Sequence, residues 1–150
     1  MISLRLATKE DMSLVLAWRN NPDIYQWFYT QKAPIPWEEH EKWWNERPSS
    51  WWELIIELDF KRPIGVVCVG QLEHWSPELG IMIGNPTDWG KGYAKEALLV
   101  AMMHIKHLGK TYCHTTIKKD NINSIEIFKK LGFVELGDAR PGEVWLTKKL

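Results

Sequence analysis

Residues Asp88–Leu98 read DWGKGYAKEAL, a lysine between two glycines, followed without a break by good helix formers. Immediately upstream, PELGIMIGN is a short β-rich run whose strand ends at Ile83. Downstream, Ala94, Ala97, Leu98, Ala101, Met102, Ile105 and Leu108 recur at helical spacing up to Gly109, which predicts a long amphipathic helix beginning near Gly90. Strand, glycine turn and helix N-terminus together present free backbone N–H groups at the positive end of a helix dipole. That combination is an anion cradle. Glycine suits it because a Cβ at Gly90 or Gly92 would stand between a pyrophosphate and the main chain, while Lys91 or Lys95 supplies charge.

The elements on either side complete the fold. ISLRLA alternates as a first strand, with Ile2, Leu4 and Leu6 inward. Thr8 and Asp11 have the spacing of a capping box ahead of a helix that Asn20-Asn21-Pro22 ends. A second helix starts at Pro36 in PWEEHEKWWNER and stops at Pro48-Ser49-Ser50. WWELIIELD, PIGVVCVGQLEHW and PELGIMIGN follow as an antiparallel meander. After the long helix come a strand in TYCHTTIK and a helix in NINSIEIFKKLG, with Asn123 and Glu126 as its cap pair. FVELGD and EVWLTKKL close the chain as a hairpin around Arg140-Pro141-Gly142. The order β-α-α-β-β-β-α-β-α-β-β predicts a single α/β domain over residues 1–150, built on a mixed sheet.

Composition narrows the function. Nineteen basic and nineteen acidic residues leave no net charge, and so no global footprint for nucleic acid or an anionic membrane. No run of eighteen apolar residues and no signal-peptide core occur, so a cytoplasmic protein is expected. Cys68 and Cys113 lie in apolar, β-branched stretches as small hydrophobes, without a disulfide. No metal is expected: His104 and His107 lack a third ligand, and His40-Glu41 has Trp44 where a zinc-protease motif requires His. Ten tryptophans are present, seven of them between Trp18 and Trp52. In WRNNPDIYQWFYTQKAPIPW they join Tyr25, Phe28 and Tyr29 in a span too irregular for one helix, which predicts an aromatic-walled pocket.

The glycine turn fits neither of two common phosphate motifs. GxxxxGK[ST] fails because Trp89 stands five residues after Gly84 and Gly92 follows Lys91, and GxGxxG meets Lys95 at its third glycine. Trp89-Gly90-Lys91-Gly92-Tyr93-Ala94 instead resembles the R/Q-x-x-G-x-G/A pyrophosphate loop of the GCN5-related N-acetyltransferases (GNAT), in the branch of ribosomal-protein and small-amine acetyltransferases. Asn121, Ser124, Phe128, Lys130, Gly132 and Phe133 match the family's N-x-x-S/A-x-x-x-Y-x-K-x-G-F segment. The resemblance implies a largely antiparallel central sheet with splayed strands, flanked by about four helices. It also implies acetyl-CoA as donor, its pantetheine in the gap between PELGIMI and TYCHTTI beside Ile81, Met82 and Ile83, with a bulge at Gly80 helping to open the wedge.

Two positions depart from the pattern. Trp89 replaces Arg or Gln, and Phe128 stands where many members carry a Tyr that protonates the leaving thiolate. A thiol of pKa about 8.5 needs only roughly 2 kcal/mol of help at pH 7, within reach of water or a backbone dipole. The amine is more demanding: an alkylamine near pKa 10.4 costs about 4.6 kcal/mol to deprotonate at neutral pH. Glu78 and His114, on the two splayed strands, are the candidate proton acceptors; Thr116 falls where some members place a catalytic Glu.

The expected reaction is direct acetyl transfer to a primary amine, without a covalent acetyl-enzyme. AWRNNPDIYQWF resembles the matching region of acetyltransferases acting on amino sugars, including nucleotide-linked ones and aminoglycosides, which makes Trp18, Arg19, Asn20 and Trp27 the acceptor-side candidates. Glu38, Glu39 or Asp23 would attract a cationic acceptor. A protein N-terminus as acceptor and a non-catalytic acetyl-CoA-binding module are the competing readings, and a monomer or homodimer is expected.

Overall fold

The computed structural model describes residues 1–150. Seven strands form one sheet in the order β1-β2-β3-β4-β5-β7-β6, with β1 at Ile2–Leu6, β2 at Trp52–Leu58, β3 at Arg62–Gly70, β4 at Glu78–Ile83, β5 at Tyr112–Lys118, β6 at Val134–Asp138 and β7 at Glu143–Lys149. Every neighbouring pair is antiparallel except β4 and β5, which run parallel and meet at a single pair, Glu78 with His114. Beyond that pair the two strands diverge. The splay falls where it was expected, between PELGIMI and TYCHTTI.

Five helices cover the sheet: α1 Met12–Arg19, α2 Pro22–Tyr25, α3 Trp37–Glu46, α4 Tyr93–His107 and α5 Ile122–Lys130. The alternation of the central strands explains the layering. Leu54, Ile56, Val67, Val69 and Leu79 point to one face, where Ala97, Leu98, Ala101, Met102 and Ile105 of α4 bury against them. Ile55 and Val66 point to the other, beneath Met12, Val15 and Trp18 of α1, Ile24 of α2 and Trp44 of α3. With both faces covered, even Glu53 of β2 lies inside. No helix is long and apolar enough to cross a membrane.

Several local expectations need correction. α2 is an extra turn in the Pro22 region, its first amides capped by Asn21 Oδ1 accepting from Asp23 N at 3.0 Å. α4 starts at Tyr93 rather than near Gly90, because Gly90 and Gly92 take φ of +74° and +83°, incompatible with a right-handed helix. α5 is capped by Asn121, whose Oδ1 accepts from Ser124 N at 3.3 Å. The chain turns straight out of β5, with Asn121 N donating to Lys118 O, so Asn123 and Glu126 already lie within the helix. Gly80 makes no bulge: the β3–β4 register runs unbroken, and a Cβ there would meet Cys68 Sγ at 2.6 Å. Leu6, at the end of the edge strand, is exposed rather than inward.

Candidate active site

Two cavities meet over the gap between β4 and β5. The larger, about 530 Å³, is lined at one end by Trp89, Gly90, Gly92, Tyr93, Ala94 and Lys95 and along its side by Asn121, Ser124, Ile127 and Lys130. The smaller, about 330 Å³, is walled by Trp27, Phe28, Trp43 and Trp51 and floored by Glu53, Cys68 and Gly80. Trp27, Phe28, Ile81, Met82, Asn121 and Ser124 belong to both. They form the junction.

The anion end follows from the backbone. The amides of Gly90 through Lys95 have no partner within the chain; the first loop-to-helix bond here is Glu96 N to Gly92 O. Idealised Cβ atoms at Gly90 and Gly92 would meet no protein atom within 4 Å, so both glycines are required by their left-handed φ and border open space. Asp88, just ahead of the loop, is 4% exposed and accepts two bonds of 2.9 Å from Arg62 on β3. That pairing holds the Asp88 carboxyl below its ordinary range. Trp89 has a clear task despite its departure from the motif: its Nε1 donates to Ile83 O at 3.0 Å, fastening the loop to the end of β4. Lys91 is exposed and does not line the cavity.

At the gap, Leu79 O accepts from Thr115 Oγ1 on β5 at 2.8 Å, and Ile83 O is taken by Trp89. Main-chain direction alternates along a strand, so the N–H and C=O of Ile81, midway between, face the gap as well. Phe128 is buried edge-on to Phe133 at 5.0 Å and brings no hydroxyl; Ser124, one turn earlier on α5, brings one to the junction.

Glu78 and His114 come together at the apex of the splay but line neither cavity. His114 Nε2 lies 3.8 Å from Glu78 Oε2, and His114 Nδ1 is 3.1 Å from Ser76 Oγ. Burial holds the His114 imidazole below its ordinary value, against the opposing pull of Glu78. Thr116 Oγ1 makes a long contact of 3.5 Å with Glu78 Oε1.

Of the acceptor-side candidates, Arg19 and Trp27 line the smaller cavity and Trp18 and Asn20 do not. The Trp18 ring is buried against Gly84, where any Cβ would collide with it. Asn20 clamps the connecting loop, accepting from Ile35 N at 2.7 Å and donating to Ile35 O at 3.0 Å. Lys118 Nζ on β5 adds a bond of 2.6 Å to Gln26 O, and together these hold Trp27 and Phe28 over the gap. Asp23 lines the larger cavity, while Glu38 and Glu39 are exposed and line neither.

Sequence reasoning missed Glu53. It is 5% exposed, pairs with Cys68 across the sheet, and receives Trp51 Nε1 at 2.9 Å. Burial pushes its carboxyl up, and the Cys68 thiol is raised by burial and by the nearby charges of Glu53 and Glu78. The only signal was an acid within the apolar run WWELII.

Comparison with known proteins agrees with this geometry. Residues 2–134 match the family model of the acetyltransferase (GNAT) domain. An uncharacterized protein of Methanocaldococcus jannaschii is 39% identical over 147 residues, 97% of this chain and 30% of that protein. The chain spans 30% to 46% of the length of the curated relatives it matches. The crystal structure of a domain from Methanocaldococcus jannaschii superposes with a TM-score of 0.95 at 37% identity, covering 100% of this chain and 99% of that one. Spermidine N-acetyltransferase from Vibrio cholerae, in complex with CoA and spermine, superposes at 0.87 with 21% identity over 99% and 95% of the two chains, a likeness of fold. The unpaired amides ahead of α4, the splayed β4 and β5 and the matched residues 2–134 lead to one conclusion: this chain belongs to the GNAT acetyltransferase domain family.

Proposed function

We propose that the domain transfers an acetyl group from acetyl-CoA directly to the primary amine of a small acceptor, with the donor in the larger cavity and the acceptor in the aromatic one. The observation that carries this reading is the junction: the cavity that begins at the unpaired amides of Gly90–Lys95 ends at Ile81 and Met82, where the aromatic cavity begins. The residues present fit the donor. Free N–H groups at the start of a fifteen-residue helix suit a pyrophosphate, Lys95 and Lys130 bring positive charge to the same cavity, and Ile81 offers main-chain groups to an extended amide chain.

The donor supplies a thioester carbonyl and a thiolate leaving group. Around it, Ile81 N–H is placed to donate to the carbonyl oxygen as it gains charge. The acceptor nitrogen forms its bond to the carbonyl carbon, the carbon–sulfur bond breaks, and one proton leaves the nitrogen as the sulfur takes one up. Glu78, half-exposed at the apex and 3.8 Å from His114, accepts the nitrogen's proton through water. Ser124 or solvent serves the sulfur in place of the missing Tyr. A nucleophilic cysteine has no place here: Cys68 is held as the thiol, and burial pushes Cys113 up to about 12. A small acceptor, an amino sugar above all, suits the enclosing rings of Trp27, Trp43 and Trp51, which match a sugar face better than an extended peptide.

The test is thiol release from acetyl-CoA in the presence of amino sugars, polyamines and peptides, with mass spectrometry of the product. Acetylation of a small amine is expected. Tight acetyl-CoA binding with no amine acetylated would favour a binding module, and turnover confined to peptides would favour the protein-acceptor reading.

A further inference from the structure

The acceptor cavity holds charges of both signs that do not neutralise each other in contact. Arg5, Arg62 and Arg140 each form an ion pair with a carboxylate, and Arg47 donates through Nε to Trp44 O at 3.2 Å. Arg19 is the arginine left without a polar partner. Its guanidinium lies over the Trp43 ring, 4.9 Å from the centroid, and lines the cavity. Glu53 lines the same cavity, and only its Oε2 is engaged, by Trp51 Nε1 at 2.9 Å. The two charges are near enough to influence each other, yet they form no ion pair.

A guanidinium and a carboxylate withdrawn from water, each with hydrogen-bonding capacity unfilled, are costly unless a ligand completes them. The planar fork of an arginine matches a carboxylate or a phosphate group with two parallel bonds. It repels a polycation. Trp43 stacks on the face of Arg19 and steadies it, and the N–H donors in the guanidinium plane have no partner within the chain.

We infer that the acceptor is an amine that also carries an anionic group, a carboxylate or a phosphate, which Arg19 clamps while the free oxygen of Glu53 takes a hydroxyl or ammonium hydrogen of the same molecule. The inference rests on the acceptor reading of this cavity. It narrows that reading against polyamines and aminoglycosides, whose charges are all positive.

Calorimetric titration tests it without needing turnover. Glucosamine, its 6-phosphate, its uronic acid and spermine are titrated into the protein saturated with CoA, and into Arg19→Gln and Arg19→Lys variants. At least one of the two anionic sugars is expected to bind ten-fold or more tighter than glucosamine, and which one does so separates a phosphate from a carboxylate ligand. Arg19→Gln should reduce that ratio to below about three, while Arg19→Lys, keeping charge without the fork, retains part of it and CoA affinity is unchanged. Equal binding of all sugars, tighter binding of spermine, or a preference that survives Arg19→Gln would overturn the inference. A failure of the acetyltransfer reading shows separately, as absence of thiol release with every amine.

Discussion

Gly92 sits at φ +83° with its N–H unpaired and open space where a side chain would go. A non-glycine residue in that region costs about 1–3 kcal/mol, with a β-branched one toward the upper end. Gly92→Val is therefore expected to lower stability by an amount in that range and to weaken acetyl-CoA binding at least a hundred-fold by calorimetry, since its side chain enters the proposed pyrophosphate site. Undiminished affinity in a folded variant would remove the anion cradle from the proposal. Trp89 makes a finer test. Trp89→Phe keeps an aromatic ring but loses the bond to Ile83 O; a net hydrogen bond of about 0.5–1.5 kcal/mol predicts roughly a two- to ten-fold loss of donor affinity. Both glycines were legible in the sequence because a positive φ is a local demand. The bond from Trp89 was not, because Ile83 approaches it only once the turn has closed.

Helix α5 links stability and binding through one side chain. Asn121 caps it at Ser124 N and lines both cavities. Asn121→Ala is expected to cost about 1 kcal/mol in chemical denaturation, the usual value of a lost cap. Asn121→Asp preserves the cap and should leave stability nearly unchanged, while a carboxylate facing the donor cavity weakens acetyl-CoA binding. Parallel losses of stability and affinity in both variants would mean that Asn121 acts only as a cap. The stretch from the end of α1 to the start of α3 makes a related point about elements. Its aromatic composition announces a pocket wall, yet Trp18, Asn20 and Trp27 look alike as candidates until Trp18 is seen packed on Gly84 and Asn20 engaged with Ile35.

For the molecule as a whole, the buried histidines set the response to acid. His40 is fully buried, with Nε2–H donating to Met12 O at 3.0 Å and Nδ1 unpartnered. Burial holds His40 and His114 below the ordinary imidazole value. The unfolded chain takes up protons at these residues near pH 6.5 while the folded protein resists to lower pH, so their stabilisation is full above that value and lost as pH falls through it. Glu53 acts in the opposite sense: its raised pKa means that the folded state gains a proton before the unfolded one does. The expected outcome is a melting temperature that falls between pH 7 and pH 5, more steeply in Glu53→Gln. A flat profile in that variant would contradict the assignment of neutral, buried imidazoles. By itself the sequence determined the order of strands and helices apart from the one-turn α2, the glycine turn and the acetyltransferase motifs, because strand alternation, helical period and left-handed glycines are imposed within a few residues. Only the tertiary structure decided that Glu53 and Arg19 share a cavity and that Glu78 meets His114. Residues so distant in sequence are brought together by α1 and α3 covering one face of the sheet and by the single point at which β4 and β5 pair, and no local pattern encodes either.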